Sequence, residues 1–493
     1  MPAASLAQFD VPALLAKLGV FPRRITADSR RVEPGVAFAA FPGLHADGRR
    51  FVADAIARGA CAVFWEAQGF AWDAKWRTPN VGVEGLQARL GHIADFIYGS
   101  PSKALWMTGV TGTNGKTSCA LWIAQALDAC GRRSGVLGTL GNGLVGTLAP
   151  ASHTTPDATV LHELLRQFAA AGAQAVAMEV SSHGLDQGRV NGARFDVALF
   201  TNLTRDHLDY HKTMAAYGAA KAKLFAWPGL RTAVINADDP FGQSLIDAAR
   251  ARGQRVLTYG LTNADVVANG LTTDRRGIHL DIGTPWGRAT VFVPVVGVFN
   301  AQNLLGVLGV LLASDVPLAD AVAALAGLAP PAGRMQRFGG DDRPLVVVDY
   351  AHSPDALEKA LVALKPSVVE GGQLICVFGC GGDRDPGKRP EMGRVAAEHA
   401  YRIVVTSDNP RGEDPDAIAS AVVKGIRDAG NHRWKVELDR RAAIAHAVAS
   451  AQVGDVVLVA GKGHETYQER AGERTPFSDA AESAAALAAW SGA

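Results

Sequence analysis

A glycine-rich segment that ends at Thr117 has residues of the types and spacing needed to bind a nucleoside triphosphate. Gly112 and Gly115 let backbone N–H groups approach phosphate oxygens, and a helix that begins after them directs its positive end at the same anion. We expect Lys116 to reach the β- and γ-phosphates and the Thr117 hydroxyl to bind Mg²⁺. Val110 stands where the usual phosphate-binding loop has its first glycine, which argues against an ordinary GTPase or kinase.

Acidic and histidine side chains follow two apolar runs downstream of this loop. Glu179 closes one run, and Asp206 and His207 come shortly after another. Magnesium takes few protein oxygens together with phosphate and water, so a carboxylate at a strand end beside a triphosphate suits it. Taken alone, Glu179 is equally compatible with a solvated edge residue. The Asp-His segment is compatible with a metal or phosphate site and with ordinary polar residues.

Polar loops follow all four apolar runs that we interpret as strands in the last third of the chain. The loops are 349–352, 379–385, 407–411 and 461–465. Ligands of open α/β sheets bind beyond the carboxyl ends of the strands. Four such loops on one sheet therefore predict a ligand site there.

The elements that must position these residues alternate between strand-like and helix-like patterns. Short apolar runs rich in β-branched residues predict strands buried on both faces of parallel sheets, with helices between them. The predicted strands are 104–107, 175–180, 197–200, 232–235, 345–348, 374–378, 403–406 and 456–459. The predicted helices include 118–127, 160–171 and 479–490.

The chain divides into three predicted domains, and the fold class is predicted to be α/β. A small N-terminal α/β domain covers 1–98, and a central domain with a P-loop-type parallel sheet covers 99–332. A C-terminal Rossmann-like domain covers 333–493. A turn-rich sequence ends the first block, and a proline-rich linker precedes the third.

The composition argues against two classes of partner. The 493 residues have a net charge of +1, which gives no electrostatic footprint for nucleic acid or an anionic membrane. The longest apolar region, 291–313, is interrupted by Pro294 and three amide residues, so it predicts a buried strand followed by a helix instead of a membrane span. Five cysteines without paired or zinc-binding spacing indicate reduced core residues of a cytoplasmic protein.

The combined motifs resemble the Mur ligase family, whose members add amino acids to the UDP-N-acetylmuramoyl peptide precursor of peptidoglycan. The resemblance runs in order through nearly the whole chain. Its segments are 111–117, 179–184, 202–209, 217–225, 297–303, 333–335 and 349–352. It implies an ATP-dependent amide ligase, in which a substrate carboxylate attacks the γ-phosphate to form an acyl phosphate and an incoming amine displaces phosphate.

The resemblance also implies roles for individual residues. Catalysis would depend on Lys116, Glu179, His207 and Lys221. A first Mg²⁺ would be held by Thr117 and Glu179, and a second by Glu179, His207 and the carbamate of Lys221. The residues implied in ATP binding are Gly112, Thr113, Asn114, Gly115, Lys116, Thr117, Ser118, Asn303, Arg334 and Asp349.

Two segments of the first block and several central residues resemble those that hold the UDP-sugar and its dipeptide in this family. Without the resemblance, the N-terminal segments would be interpreted as turn-rich loops. The residues implied in this site are Ala27, Ser29, Leu44, His45, Ala46, Thr154, Thr155, Ser181, Gln187 and Arg189.

The 408–411 motif resembles that of the family members that add meso-2,6-diaminopimelate to UDP-N-acetylmuramoyl-L-alanyl-D-glutamate. The distal end of this amino acid carries a carboxylate, which Arg411 can hold bidentately, and an ammonium, which Glu465 would accept. The residues implied are Arg384, Asp408, Asn409, Pro410, Arg411, Gly461 and Glu465. A turn with an exposed cation is the alternative interpretation of the motif.

Two other functions compete with this one. The chain could be a related ligase that adds L-alanine, D-glutamate, lysine or a dipeptide, or a folylpolyglutamate synthase. It could also be a nucleotide-gated binding or scaffolding protein, which Lys221 and the Asp206-His207 segment disfavour because an ATP switch needs no second metal site. The predicted protein is a cytoplasmic monomer that acts on small molecules, with Mg²⁺ as cofactor and ATP as co-substrate, and that binds neither nucleic acid nor membrane.

Overall fold

The computed structural model describes residues 9–43 and 46–492. Their contacts define two compact units, one formed by the residues up to Val266 with Gly306–Ala324 and the other by Val267–Leu305 with the residues from Leu325 onward. Within the described ranges, no helix is long and apolar enough to cross a membrane. The three predicted domains divide the chain at other positions than these two units, and their boundaries stay a prediction.

The first unit begins with a sheet of four parallel strands arranged in chain order. Its strands are β1 Arg24–Thr26, β2 Val36–Ala40, β3 Ala62–Glu66 and β4 Asn80–Val83. Its helices are α1 Val11–Leu18, α2 Val52–Ala57 and α3 Leu86–Ile97. Every residue of β2 is buried, as expected for an inner strand that is covered on both faces.

A larger sheet forms the rest of the first unit. Its strands are β5 Trp106–Thr111, β6 Ser134–Gly138, β7 Gly141–Leu144, β8 Thr147–Ala149, β9 Ala175–Glu179, β10 Val197–Phe200, β11 Thr232–Asn236 and β12 Arg255–Gly260. Their order is β12-β11-β10-β5-β9-β6-β7-β8, and all neighbours from β12 to β6 are parallel. Its helices are α4 Lys116–Ala129, α5 Ala158–Ala170, α6 Ser182–Asp186, α7 Leu208–His211, α8 Met214–Phe225 and α9 Pro240–Ala251.

The strand order of this sheet explains why the predicted chemistry meets at one edge. β5 lies between β9 and β10 and runs parallel to both. The phosphate-binding segment, Glu179 and the Asp-His segment follow the carboxyl ends of these three strands. They therefore lie at the edge where open α/β sheets bind ligands.

An antiparallel meander opens the second unit. It consists of β13 Val266–Thr273, β14 Ile278–Thr284 and β15 Gly287–Val293. Helices α10 Val298–Ala313 and α11 Leu318–Ala326 come next in the chain. The apolar region 291–313 thus contains the end of a strand and a helix, as predicted. The strand is not fully buried, however, because Phe292 is exposed between the buried Val291 and Val293.

A six-stranded sheet with the order β16-β17-β21-β18-β19-β20 dominates the second unit. Its strands are β16 Gln336–Gly339, β17 Leu345–Asp349, β18 Leu374–Phe378, β19 Arg402–Val405, β20 Trp434–Val436 and β21 Val456–Ala460, and a hairpin follows with β22 Tyr467–Arg470 and β23 Glu473–Pro476. Its helices are α12 Pro354–Leu364, α13 Lys388–His399, α14 Pro415–Asp428, α15 Arg440–Ala449 and α16 Asp479–Ala488.

Both faces of this sheet are covered by apolar side chains. Along β17, Val347 packs into one hydrophobic cluster, whereas Val346 and Val348 pack into another. A strand buried on both faces has no polar alternation. The continuous apolar runs in the sequence therefore predicted these strands correctly.

Three details differ from the sequence-based expectation. β5 begins at Trp106 and continues to Thr111, because the first residues of the predicted loop pair with β9 and β10. α4 begins at Lys116, so both Lys116 and Thr117 belong to its first turn. The strands β16 and β20 and the hairpin β22–β23 were not predicted, since their partly exposed polar residues give no apolar run.

Candidate functional site

The predicted phosphate-binding segment, residues 112–115, joins β5 to α4. The local geometry requires both of its glycines, Gly112 and Gly115. Gly115 caps α4 with a φ of 85°, in the left-handed region that disfavours a side chain. A Cβ at position 112 would lie 1.8 Å from Thr201 Oγ1. The lack of a side chain at Gly112 therefore allows the ends of two neighbouring strands to approach.

The residues after β10 hold the tip of this segment. Thr113 N donates to Asn202 O at 2.8 Å, and Asn114 N donates to Asn202 Oδ1 at 2.9 Å. Thr201 Oγ1 donates to Asn114 O at 2.6 Å, and Tyr217 OH lies 3.2 Å from Thr113 Oγ1. These contacts fix the backbone conformation that an anion-binding loop needs before its ligand arrives.

The Lys116 side chain folds back over the segment that precedes it. Its Nζ donates to Gly112 O at 3.0 Å and to Thr113 O at 2.8 Å. Ser118, which was also predicted to bind ATP, is buried in the first turn of the same helix. The ammonium of Lys116 is thus already placed at the loop where phosphate charge would be received.

Thr117 and Glu179 bring two buried side-chain oxygens together. Thr117 Oγ1 donates to Glu179 Oε2 at 3.0 Å, and Thr139 N donates to Glu179 Oε1 at 2.7 Å. The Glu179 side chain is 2% exposed. A hydroxyl next to a carboxylate at a phosphate-binding helix is the donor set expected for Mg²⁺.

Lys221 lies directly beneath the phosphate-binding segment. It is 1% exposed, and its Nζ donates to Gly112 O at 2.7 Å. Nζ also lies 4.3 Å from the centre of the Tyr217 ring. Burial, reinforced by the positive charge of Lys116, lowers the pKa of Lys221 well below its ordinary value, because both effects disfavour the charged amine.

His207 belongs to a group of neighbouring rings. The centre of the His183 ring lies 4.9 Å from that of His207 and 5.4 Å from that of His211. Desolvation, with repulsion from the other histidines, lowers the pKa of His183 to about 4. Desolvation also lowers the pKa of His207, against the opposing effect of Asp206. These imidazoles are therefore neutral near pH 7, the protonation state in which histidine binds metals.

The central residues predicted to hold the dipeptide meet through hydrogen bonds. Thr155 Oγ1 donates to Glu179 O at 2.9 Å and also lies 3.0 Å from Ser181 Oγ, a second hydroxyl that can donate in return. Arg189 donates to Gln187 Oε1 through Nε and Nη2, and its Nη1 donates to Thr155 O at 3.0 Å. Thr154 contacts a different residue, since its Oγ1 lies 3.0 Å from Thr139 Oγ1.

The predicted UDP-binding residues of the first block are only partly described. Ala27 and Ser29 follow β1, and Ser29 is buried at the start of a short 3₁₀ helix. Ala46 O accepts a hydrogen bond from Gly43 N at 2.8 Å. Leu44 and His45 lie outside the described residues.

Asn303, Arg334 and Asp349, the other residues predicted to bind ATP, belong to the second unit. Asp349 accepts hydrogen bonds from Met335 N at 2.8 Å and from Ala351 N at 2.9 Å. Burial raises the pKa of Asp349, against the opposing effects of Arg334 and of these hydrogen bonds. The Arg334 guanidinium lies over the Tyr350 ring at 4.8 Å, and Asn303 is buried on α10.

Asn409 and Glu465, which were predicted to bind the amino acid, are in direct contact. Asn409 Nδ2 donates to Glu465 Oε2 at 2.8 Å. Lys462, which the sequence analysis did not single out, donates to both residues through Nζ. Asp408 is buried beside them, and a Cβ on Gly461 would lie 2.5 Å from Asp408 Oδ2. The glycine therefore allows two of the predicted loops to pack together.

Arg411 and Arg384 are placed differently. Arg411 has a φ of 50°, its N donates to Glu469 O at 3.0 Å, and its Nη1 donates to Gly382 O at 2.8 Å. Arg384 is exposed, and its Nη1 donates to the neighbouring Asp383 O. The structure thus fixes Arg411 within the loop cluster and leaves Arg384 at its surface. Pro410, the remaining residue of the motif, is buried.

A buried ion pair beneath these loops was also missed by the sequence analysis. Arg440 and Asp479 are fully buried, and the guanidinium makes two hydrogen bonds of 2.7 Å to the carboxylate. Arg440 Nη2 also donates to Ala460 O at 2.9 Å, and Nη1 donates to Ser407 O at 3.3 Å. This arginine therefore holds the residues that immediately precede Asp408 and Gly461.

Comparison with known families accounts for this arrangement. Three family models match the chain: the "Mur ligase family, catalytic domain" at residues 23–98, the "Mur ligase middle domain" at 110–311 and the "Mur ligase, glutamate ligase domain" at 333–463. A UDP-N-acetylmuramoyl-L-alanyl-D-glutamate–2,6-diaminopimelate ligase from Chromobacterium violaceum is 54% identical over 97% of both chains. The chain belongs to the Mur ligase family.

Further relatives of this Mur ligase also match it over nearly the whole chain. A diaminopimelate ligase with the same name from Pseudomonas aeruginosa is 51% identical over 95% of both chains. A solved structure of such a ligase is 40% identical, covers 95% of both chains and has a TM-score of 0.71. The MurF ligase of Thermotoga maritima in complex with ADP, 18% identical with a TM-score of 0.63 over 90% of this chain and 95% of its own, shares the fold. The chain is thus an ATP-dependent ligase that forms carbon–nitrogen bonds.

The metal-binding residues predicted for this Mur ligase fit a magnesium ion only with help from other groups. Among the described residues, no group of three or more histidine, cysteine, aspartate and glutamate side chains is placed to hold a metal. Thr117 and Glu179 instead offer two adjacent oxygens, which suits an ion that keeps waters and binds substrate phosphates. Lys221 becomes an oxygen ligand only if its amine is carbamylated.

Proposed function

We propose that this Mur ligase joins meso-2,6-diaminopimelate to UDP-N-acetylmuramoyl-L-alanyl-D-glutamate, with conversion of ATP to ADP and phosphate. The observation that carries the proposal is full-length identity of 45–54% to eight ligases with that name. The geometry supports it, because the predicted amino-acid loops present the cation of Arg411 and the carboxylate of Glu465 from adjoining segments. These charges complement the carboxylate and ammonium at the distal end of diaminopimelate.

In the proposed reaction, the D-glutamate carboxylate attacks the γ-phosphate of ATP, and the amine of diaminopimelate then displaces phosphate from the acyl phosphate. Gly112, Thr113, Asn114 and Gly115 form the turn that would receive the phosphates, and the N–H groups of Thr113 and Asn114 hold its shape through their hydrogen bonds to Asn202. Lys116 moves from its carbonyl contacts to the charge that develops between the β- and γ-oxygens. Asn303, Arg334 and Asp349 are proposed to contact the nucleotide from the second unit.

Mg²⁺ is the proposed cofactor, and it would neutralise phosphate charge when bound. Thr117 and Glu179 would hold one ion, and Glu179, His207 and the carbamate of Lys221 would hold a second. The lowered pKa of Lys221 supports the carbamate, because only the neutral amine reacts with carbon dioxide. Carbamylation would convert this buried amine into an anion that suits the metal.

The UDP-sugar and its dipeptide are proposed to bind along the first unit. Ala27, Ser29 and Ala46, together with Leu44 and His45, would contact the nucleotide end. The hydrogen-bonded group around Thr155 and Arg189 would hold the dipeptide. This assignment corresponds to the proposed domains 1–98 for UDP, 99–332 for ATP and 333–493 for the amino acid.

The chain is further proposed to act as a cytoplasmic monomer. Its substrates are small polar molecules, and its five cysteines are free thiols, as is usual in a reducing compartment. Every residue assigned above comes from a single chain, so the proposed site needs no second copy.

Product analysis tests this function against its rivals. The enzyme is supplied with ATP, Mg²⁺ and the UDP-dipeptide in the presence of equal concentrations of diaminopimelate and lysine. We expect the tripeptide product with diaminopimelate and one phosphate per product. A product with lysine would assign the chain to a lysine-adding ligase, and nucleotide binding without product would indicate a nucleotide-gated binding protein.

A further inference from the structure

Lys462, two residues beyond the end of β21, is a buried lysine that the proposed reaction does not use. Its side chain is 0% exposed, and its Nζ donates to Asn409 Oδ1 at 2.9 Å and to Glu465 Oε2 at 2.7 Å. A buried ammonium is tolerated only when it is paired and hydrogen-bonded. The contacts to Asn409 and Glu465 therefore have to persist in the folded protein.

Asn409 closes a triangle with the two charged side chains. Its Nδ2 donates to Glu465 Oε2, the same oxygen that Lys462 contacts. Its Oδ1 accepts a second hydrogen bond from Glu469 N at 2.9 Å. The amide orientation is fixed, because the oxygen faces two donors and the nitrogen faces a carboxylate. Glu465 Oε2 thus receives two hydrogen bonds, and rotation of the carboxylate would break both.

The second carboxylate oxygen of Glu465 stays available. In the part of the chain that the structure describes, no N–H or O–H group donates to Oε1. The Glu465 side chain keeps 19% of its surface exposed. Arg411 and Asn409 both bind the backbone of Glu469. Arg411 N donates to Glu469 O, and Asn409 Oδ1 accepts from Glu469 N. The fixed acceptor and the arginine are therefore held by one hydrogen-bonded framework.

We propose that Lys462 is a positioning residue for recognition of the distal ammonium of the amino-acid substrate. Lys462 and Asn409 hold Glu465 through Oε2, and Oε1 receives the ammonium. Lys462 does not contact the substrate itself, because its ammonium is engaged with Asn409 and Glu465. This inference rests on the proposed function, since it takes diaminopimelate as the amino acid.

The test compares two amino acids that differ only in the distal amine. Lys462→Met removes the donors and keeps a side chain of similar length. We expect kcat/KM to fall about tenfold or more with meso-diaminopimelate, since a hydrogen bond to a charged group is lost at the substrate. With 2-aminopimelate, which lacks the distal amine, kcat/KM should change little. The KM values for ATP and the UDP-dipeptide should stay unchanged.

Two further variants complete the test. Lys359→Met removes an exposed lysine that pairs with Asp355 at 2.8 Å on α12, and it should leave both amino acids unaffected. In a Glu465→Gln background, Lys462→Met should cause little further loss with diaminopimelate, because the group through which it acts is gone. If the methionine variant does not fold, Lys462→Gln keeps a neutral N–H donor group and should show a smaller loss with the same selectivity.

The outcomes separate this inference from the proposed function. Equal losses with both amino acids, or full additivity with Glu465→Gln, would overturn the positioning role while the diaminopimelate product of the wild type still supports the function. Failure of the wild type to form that product would overturn both. The mass of the product distinguishes these two results.

Discussion

Lys221 is the residue whose chemistry depends most on its surroundings. Replacing it with alanine should reduce ligation at least about a hundredfold, because the proposed carbamate ligand is lost from the metal site. A short carboxylic acid such as formate should restore part of the activity by occupying the vacated space. Lys223→Ala, an exposed lysine on the same helix that pairs with Asp186, is the control. Lack of rescue, together with an unmodified Lys221 amine in a structure that contains bound nucleotide and metal, would contradict the carbamate.

Arg411 should determine the choice between diaminopimelate and lysine. Lysine has no distal carboxylate, so binding it would leave the guanidinium without its substrate partner, which costs several kcal/mol in a closed site. We expect the wild type to prefer diaminopimelate by roughly a thousandfold in kcat/KM. Arg411→Ala should impair diaminopimelate strongly and lysine little. If both substrates fall equally, Arg411 is not the selective residue.

Single residues show what the sequence could and could not predict. The placement of Lys116 and Thr117 beside a glycine turn at the start of a helix was predictable, because it depends on neighbours in the chain. Lys462 was not, since a lysine between two glycines is usually exposed. Its burial depends on Asn409, 53 positions away, and a single sequence does not report that contact.

At the scale of elements, the pair Arg440–Asp479 connects the first turns of α15 and α16 to the ends of two strands. Asp479→Ala should lower the free energy of unfolding by about 3–5 kcal/mol, because it leaves a fully buried guanidinium without its counterion. The double variant Arg440→Leu with Asp479→Leu should lose less than the single variant. Urea denaturation measures both, and an equal or greater loss in the double variant would show that the pair itself contributes net stability.

The elements also show why some parts of the fold could be predicted. β17, β18, β19 and β21 are buried on both faces, so each leaves a continuous apolar run in the sequence. β20 contains a lysine between a tryptophan and a valine, and it becomes a strand because it pairs with β19. Pairing at a sheet edge is a tertiary interaction, which local sequence does not specify.

At the scale of the whole molecule, stability should depend on pH through buried histidines. The pKa of His183 falls to about 4 in the folded state, and burial also lowers the pKa values of His162, His352 and His464. Unfolded histidines bind protons near pH 6.5. The unfolded state therefore takes up more protons as the pH falls from about 6.5 toward 4, and stability decreases across that window.

This pH dependence can be measured by urea unfolding. We expect His183 alone to contribute roughly 1–3 kcal/mol of stability at pH 7 that is lost by pH 4, after allowance for its partial exposure. His183→Gln should flatten the dependence between pH 6.5 and 4, whereas replacing His153, an exposed histidine, should not. An unchanged slope in His183→Gln would contradict the assignment.

The buried Glu179 connects more of the molecule than its role at the phosphate loop requires. Its carboxylate accepts from Thr117, and its backbone oxygen accepts from Thr155, which also contacts Ser181. We expect this network to couple the binding of ATP to the binding of the UDP-dipeptide, and such coupling is reciprocal. The factor by which a non-hydrolysable ATP analogue tightens binding of the UDP-dipeptide must equal the factor by which the UDP-dipeptide tightens binding of the analogue.

Calorimetric titrations in both orders measure this cooperativity. Thr155→Val removes the bridging hydroxyl and should bring the coupling factor close to one, even where it also weakens the dipeptide itself. Thr159→Val removes a buried hydroxyl that contacts only the nearby Asp157, and it should leave the factor unchanged. If the coupling factor in Thr155→Val is the same as in the wild type, contacts other than the Thr155 hydroxyl couple the two sites. With this link in place, the enzyme senses its carboxylate substrate before committing the nucleotide, which would limit wasteful hydrolysis of ATP.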